Sequence, residues 1–230
     1  MKQLLILISL VTVLPLLSQA QKAIDSGQVT MEITDVKAED AAIGQQMEMM
    51  KGTKTIMTFN ADYSMVSLNM MEGLISMKTM TVSATGDSKM YMDAMGMKYV
   101  VPMEKAEKDK MISGKVSDEF NIEYDKSDTK EIAGYQCYKA VATHSGGNQI
   151  ITAYITEEID ADPNLLQGFE YLSLTGFPLE YTADDASGTS ITFTATDFTT
   201  EIDEAVFNVD ESGYQKMSLE EFSKMGGMGF

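Results

Sequence analysis

The chain has 230 residues with 35 acidic side chains, 17 lysines, no arginine, one histidine and one cysteine, and its formal net charge is -18. So acidic a chain lacks the dense lysine and arginine contacts that hold nucleic acids and anionic membrane surfaces, which excludes both as partners. One cysteine and one histidine cannot build the Cys/His set of a structural zinc site. The unusual count is that of the methionines, 20 in all.

An export signal is predicted at the amino terminus. Lys2 precedes an apolar run over residues 4–17, and Ser18 and Ala20 are small residues where a signal peptidase would cut. The run is shorter than the roughly 20 apolar residues of a transmembrane helix, and no later stretch is long enough to span a membrane as a helix. We therefore expect residues 1–20 to be a signal peptide. The protein would be exported to the periplasm or outer membrane, or out of the cell.

Residues 21–225 are predicted to form a single β-rich domain with two chemically different halves, followed by a flexible tail over residues 226–230. The first half, residues 21–111, is rich in methionine, with fifteen between Met47 and Met111. The second half, residues 120–217, is strongly acidic, and no lysine lies between Lys139 and Lys216. The charged stretch 104–119 is expected to be a surface connection or a short helix.

Alternation of apolar and polar residues with a period of two predicts β-strands along the whole chain. In chain order these are residues 29–33, 55–59, 63–70, 74–84, 89–94, 98–101, 120–125, 135–143, 149–156, 170–174, 177–182 and 191–196. Turn signals separate many of them at hairpin spacing. Such alternation is typical of an antiparallel sheet with one face covered and the other wet.

Helix signals are few. Residues 39–51 predict one helix, which Gly52 would end. Ser218 and Glu221 form a capping box for a second helix that would end at Gly226. The predicted fold class is therefore mostly β (α+β), an antiparallel sheet with a few short helices.

Catalytic patterns are missing, and we expect a protein that is not an enzyme. The sequence has no Gly-x-Ser-x-Gly and no glycine loop for phosphates or dinucleotides. His144 falls in a predicted turn, where a solvent-exposed ring is the simpler explanation. Adjacent carboxylates such as Glu157 and Glu158 point to opposite faces of a strand, so adjacency does not make an acid/base pair.

No cofactor is predicted either. The segment Asp160-Ala161-Asp162-Pro163-Asn164 resembles the start of a calcium-binding EF-hand loop. The resemblance then fails, because Leu165 stands where the loop needs glycine and Tyr171 where it needs a bidentate glutamate. Cys137 lies in a predicted strand, where a free cysteine is expected to be a buried, small apolar residue.

Three interpretations of the methionines remain open. As flexible, polarizable side chains they fill irregular cores or line surfaces that accept varied apolar partners. Their strand spacing favours an apolar face, and the predicted ligand-binding residues are Met57, Met65, Met70, Met77, Met80, Met90 and Met92. Thioethers also select Cu(I), for which the alternative ligands are Met90, Met92, Met95 and Met97. Copper sites usually add histidine, which these clusters lack.

One segment of the second half resembles a known family. Residues 132–140, Ile-Ala-Gly-Tyr-Gln-Cys-Tyr-Lys-Ala, follow the pattern I-x-G-Y-x-C-x-K-A of exported Bacteroidota proteins of the GLPGLI type and of a related family of unknown function. Residues 153–159, 174–180 and 205–217 agree with later segments of those families in the same order. The second of these is a divergent form of the signature, so the family of unknown function is the closer match.

The resemblance implies a fold like that of the lipoprotein carriers LolA and LolB, a half-barrel in which a curved antiparallel sheet wraps partly around helices and holds acyl chains. It implies no catalytic residues. We therefore expect a non-enzymatic protein that binds a lipid, lipoprotein or other apolar partner in the cell envelope on a methionine-lined concave sheet. A Cu(I)-binding or buffering protein and an interaction module without a small ligand are the alternatives.

Overall fold

The structure is a computed structural model, and it describes residues 23–70, 73–113, 120–147, 149–166, 169 and 172–224. The predicted signal peptide (1–20) and tail (226–230) lie outside these residues. Within them, twelve strands form one sheet, accompanied by three short helices. No helix among the described residues is long and apolar enough to cross a membrane.

The strands are β1 (Gly27–Lys37), β2 (Lys54–Phe59), β3 (Tyr63–Met70), β4 (Ile75–Val82), β5 (Ser88–Ala94), β6 (Met97–Met103), β7 (Phe120–Ile132), β8 (Tyr135–His144), β9 (Gln149–Thr156), β10 (Phe177–Asp185), β11 (Ser190–Thr199) and β12 (Gln215–Lys216). The helices are α1 (Ala41–Glu48), α2 (Lys105–Ser113) and α3 (Leu219–Lys224). Two 3-10 turns cover Pro163–Leu165 and Glu204–Phe207.

The strand order is β12-β6-β5-β4-β3-β2-β1-β11-β10-β9-β8-β7, and every neighbouring pair is antiparallel except β12 with β6. β1 joins the two halves of the chain, because it pairs with β2 on one side and with β11 on the other. The methionine-rich half and the acidic half are therefore parts of one continuous sheet. The predicted fold class is confirmed, since the molecule is mostly β, with a large curved open sheet and short helices.

Period-two alternation explains how β1 sits at the centre of this sheet. Val29, Met31 and Ile33 are buried on one face, here called the inner face, while Glu32 and Thr34 point to the other, the outer face. Irregularities in the pairing with β11 follow Thr30 and Ile33. Such bulges bend a strand and increase its twist, which suits a curved sheet.

A long connection between β9 and β10, residues 157–176, covers the inner face of the second half. Leu166, Phe169 and Leu172 are buried there in one apolar cluster with β1, β2 and β8–β11. The strand predicted over residues 170–174 is therefore wrong for Leu172–Leu174, which are irregular; residues 170 and 171 lie outside the described part of the chain. Its apolar alternation serves to cover the sheet and not to extend it.

Several elements differ in length from the prediction. α1 begins after Asp40, whose carboxylate accepts hydrogen bonds from the amides of Ala42 and Ile43, and it ends at Glu48. β7 runs seven residues beyond the predicted end because the chain bulges after Asp125 and then resumes its pairing at Thr129. β12 was not predicted. The capping box is confirmed: the Ser218 amide donates to Glu221 Oε2 at 2.8 Å and the Glu221 amide to Ser218 Oγ at 3.2 Å.

Candidate functional site

An apolar groove of about 240 Å³ lies between the inner face of the sheet and the β9–β10 connection. It is lined by Met31, Thr55, Met57, Val66, Leu68, Met77, Thr79, Leu165, Leu166, Tyr181 and Phe193. Strands of the methionine-rich half form most of one wall, and β10 and β11 of the acidic half form the other. The groove therefore spans the two halves of the chain.

Strand register brings the first wall together. Met31, Thr55, Leu68 and Met77 occupy one row across β1, β2, β3 and β4, since each pairs with the next. Paired residues of neighbouring strands point to the same face of a sheet. The next row toward the other end of the sheet begins with Met57, so the sheet supplies two consecutive rows of mainly apolar side chains.

The second wall consists of stacked aromatic rings. Tyr181 and Phe193 are directly paired on β10 and β11, with ring centroids 4.7 Å apart and an interplanar angle of 14°. Phe169 from the β9–β10 connection meets the Tyr181 ring edge-on, also at 4.7 Å. Aromatic pairs in these arrangements contribute roughly 0.5–1.5 kcal/mol beyond the area they bury. The rings of this wall have fewer rotatable side-chain bonds than the methionines opposite.

The cover of the groove is held by backbone hydrogen bonds. The Leu165 amide donates to the Asp162 carbonyl at 3.0 Å and the Leu166 amide to the Pro163 carbonyl at 2.9 Å. Where the connection leaves β9, the Asp160 amide donates to the Ile24 carbonyl at 2.8 Å. The two leucines are therefore fixed in a 3-10 turn over the groove.

The groove contains little that could act chemically. Among the described residues that line it, none is charged, and the polar side chains are Thr55, Thr79 and the Tyr181 hydroxyl. A general acid or base needs a titratable group within hydrogen-bonding reach of the substrate. The arrangement can bind and orient an apolar molecule, and it offers no nucleophile with an activating base.

The predicted ligand-binding methionines fall into four groups, three of them on the inner face of the sheet. Met57 and Met77 line the groove. Met70 lies on the same face, one row nearer the end of the sheet, because it pairs with Ile75. Met90 and Met92 are buried on the inner side of β5 and are not among the lining residues.

Met65 and Met80 lie on the outer face and do not line the groove. They pair with each other, and Met65 also pairs with Thr58, so all three point away from Met57. Met31, Val66 and Leu68 line the groove but were not predicted as site residues. Val66 and Leu68 could have been predicted from the sequence, because they alternate with Met65 along β3 and therefore lie on the opposite face.

The alternative copper ligands separate into two pairs. Met90 and Met92 are buried, whereas Met95 and Met97 are exposed at the turn between β5 and β6. A Cu(I) site needs several sulfur atoms that converge on one point. In the part of the chain that the structure describes, no group of three or more His, Cys, Asp or Glu side chains could hold a metal ion.

Cys137 is a buried free thiol in β8, as predicted. Burial raises its pKa to about 12, and the negative charge of Glu158 acts in the same direction. The thiolate is the reactive form of cysteine, so this shift disfavours reaction of the thiol at neutral pH. His144 ends β8, where its Nδ1 accepts a hydrogen bond from the Gly146 amide at 3.1 Å.

No protein-family model matches the chain, and no curated protein matches it, so the relation to GLPGLI proteins rests on the motif alone. Among solved structures, that of PNGF-II has a TM-score of 0.50 at 14% identity, covering 87% of this chain and 32% of PNGF-II. The Mycobacterium tuberculosis lipoprotein LppX has a TM-score of 0.38 at 10% identity, covering 78% of this chain and 89% of LppX. The structure of MucB in complex with MucA has a TM-score of 0.34 at 10% identity, covering 80% of this chain and 54% of the matched chain.

The chain thus spans about a third of the length of PNGF-II. At 14% identity the likeness to PNGF-II concerns the fold alone, and the two weaker likenesses carry no functional weight.

Proposed function

We propose that the groove binds an apolar chain, such as the acyl chain of a lipid or lipoprotein, and that the molecule is a non-enzymatic binding protein of the cell envelope. The observation that supports this most directly is the uncharged lining, in which Met31, Met57 and Met77 face an aromatic wall. The apolar run at residues 4–17 supports export.

Physical chemistry favours an acyl chain over a bulky ligand. A volume of about 240 Å³ lies below the roughly 300–1,000 Å³ of pockets that hold drug-sized molecules. Each methylene transferred from water into such a site contributes about 0.8 kcal/mol. Methionine adapts its shape to the ligand because it is unbranched and has three rotatable bonds.

Binding of a fluorescent fatty acid, cis-parinaric acid, tests the proposal. Leu68→Glu places a charge in the groove. Ser67→Glu is the matched control, because the side chain of Ser67, next to Leu68 in β3, points to the outer face. An uncompensated buried charge is expensive. We therefore expect saturable binding by the wild type and by Ser67→Glu, and at least a tenfold loss in Leu68→Glu.

Native mass spectrometry of gently purified protein supplies a second measurement. Co-purified lipid in the wild type, depleted in Leu68→Glu, is the expected result. The proposal is wrong if no lipid co-purifies and fatty acids bind without saturation, or if the two glutamate variants bind equally well.

A further inference from the structure

Exposed apolar side chains are concentrated at one end of the sheet. Of the nine large hydrophobic residues that are exposed in the described part of the chain, six lie at this end, five on the connections β1–β2, β3–β4 and β5–β6 and one at the start of β6: Ile43, Met49, Met50, Leu74, Met95 and Met97. We call these six residues the apolar rim. Met49 and Met95 are 78% and 74% exposed, and Leu74 and Met97 are each 58% exposed. A seventh, Ile150, is the second residue of β9 and lies at the same end.

The strand topology explains this placement. The connections β1–β2, β3–β4 and β5–β6 all leave the antiparallel sheet at the same end. Leu74 and Met95 are direct neighbours, because the Met95 amide donates to the Leu74 carbonyl at 3.0 Å. At the opposite end, the exposed ring of Tyr63 packs against Phe207 with centroids 5.7 Å apart.

The rim is continuous with the groove. Met70, Ile75, Ala94 and Met97 form one row across β3–β6, and the adjacent row contains Leu68 and Met77 of the groove wall. On the other side, Met47 of α1 belongs to a small buried cluster with Ile33 and Val36, and Phe193, which also lines the groove, packs against this cluster. An apolar path therefore leads from the rim into the groove.

Among the described residues, the charges near the rim offer no cationic surface. Each of the four described lysines there has an acidic partner: Lys37 with Asp35, Lys51 with Asp35 and Glu48, Lys54 with Glu32, and Lys98 with Asp93. Anionic lipid surfaces are held by clusters of unpaired lysine and arginine. Together with the net charge of -18, this disfavours an anionic bilayer but not a zwitterionic one.

We propose that the apolar rim docks the protein onto a zwitterionic lipid bilayer. The rim has two anchors, one on α1 and the turn after it, the other at Leu74, Met95 and Met97, separated by about two strand spacings, or roughly 10 Å. A protein partner needs one contiguous, tightly packed centre, whereas a fluid interface accepts separate flexible side chains that reach one plane. This goes beyond the binding of a ligand in the groove, because docking does not require the groove to be occupied.

Flotation with phosphatidylcholine vesicles tests the docking. The wild type should bind, and neither added phosphatidylglycerol nor low salt should strengthen the binding. The triple variant Leu74→Ser/Met95→Asn/Met97→Thr should lower the partition coefficient by roughly tenfold or more, because each apolar side chain removed forfeits its burial. Asparagine is chosen because Met95 has φ 53, a region that asparagine tolerates. Tyr63→Thr, at the opposite end, should bind as the wild type does.

A spectroscopic pair keeps the test valid if the triple variant folds poorly. The chain contains no tryptophan, so Met97→Trp and Tyr63→Trp each introduce a single fluorophore. Emission from Met97→Trp should shift to shorter wavelength when vesicles are added, and emission from Tyr63→Trp should not.

Three outcomes would overturn the docking. The first is the absence of any emission shift in Met97→Trp, and the second is vesicle binding that depends on anionic lipid. The third is a wild type that binds no vesicles but self-associates, with the triple variant abolishing the self-association, because a second copy of the chain would then occupy the rim. Leu68→Glu should still float with vesicles, so loss of fatty-acid binding and loss of docking can be told apart.

Discussion

Glu211 should contribute measurably to stability by holding the segment that follows β11 against the outer face of the sheet. Its Oε1 accepts hydrogen bonds from the Tyr91 hydroxyl at 3.0 Å and from Lys89 Nζ at 2.7 Å. Tyr91 is only 2% exposed, and its ring meets that of Tyr214 edge-on at 5.6 Å. Glu211→Ala would leave a buried hydroxyl without its acceptor.

The two interactions have different magnitudes. A buried donor that loses its partner costs about 1–3 kcal/mol. The ion pair with Lys89 joins two side chains that are both nearly half exposed, so it contributes at most about 1 kcal/mol. We expect Glu211→Ala to lower the free energy of unfolding by about 2 kcal/mol, and Glu211→Gln to lower it by about 1 kcal/mol or less, because the amide oxygen still accepts a hydrogen bond.

A double-mutant cycle measured by urea unfolding separates these contributions. In the Tyr91→Phe background the hydroxyl is gone, so Glu211→Ala should cost less than about 1 kcal/mol. If Glu211→Ala costs the same in both backgrounds, the hydrogen bond is not what holds this segment, and the reasoning is refuted.

Three further predictions concern acid, thiol chemistry and backbone space. The hydrogen bonds from Lys89 and Tyr91 lower the pKa of Glu211 below its ordinary value of 4.5. The ionised carboxylate therefore contributes fully to folding stability above pH 4.5, and this stability is lost as the pH falls through the lowered pKa. In urea unfolding, acid should destabilise the wild type more than Glu211→Gln. Cys137 should not react with a disulfide reagent at neutral pH until urea unfolds the protein, and rapid reaction of the native thiol would contradict its burial. Gly176→Ala should destabilise by roughly 1–3 kcal/mol, because its Cβ would lie 2.6 Å from the Thr156 carbonyl oxygen. Gly44→Ala, within α1, should instead stabilise by roughly 0.5–1 kcal/mol, because its Cβ would meet the Ala38 side chain at an ordinary contact distance of 3.9 Å. Thermal unfolding would show this difference, and equal effects of the two alanines would contradict the structure.

The strands were predictable because their signal is local. In β1, Val29, Met31 and Ile33 alternate with polar residues, and the same pattern defines most later strands. The failures share a cause. Leu172 and Leu174 alternate like a strand but lie in the connection that covers the sheet, and β12 is only two residues long, too short for any period to show. Alternation of apolar and polar residues indicates which side chains must be buried, but it does not indicate which part of the chain buries them.

The groove was only partly predictable for the same reason. Side chains alternate between the two faces along β3, so Val66 and Leu68 lie on the face opposite to Met65. The local sequence alone is enough to predict this. Choosing residues by type, however, grouped Met65 and Met80 with Met57, although they point to opposite faces. Residue type indicates a preference for apolar surroundings, whereas parity indicates the face.

The sequence alone predicted the acidic charge, the methionine-rich half, the antiparallel β pattern and the burial of Cys137, because composition and a period of two are properties of neighbouring residues. Tertiary structure decided that β1 pairs with both β2 and β11, that Leu165 and Leu166 cover the groove, and that Leu74 meets Met95 at the rim. These contacts join residues far apart in the chain. They form because the apolar faces of many strands can be buried only together, a requirement that no single segment expresses.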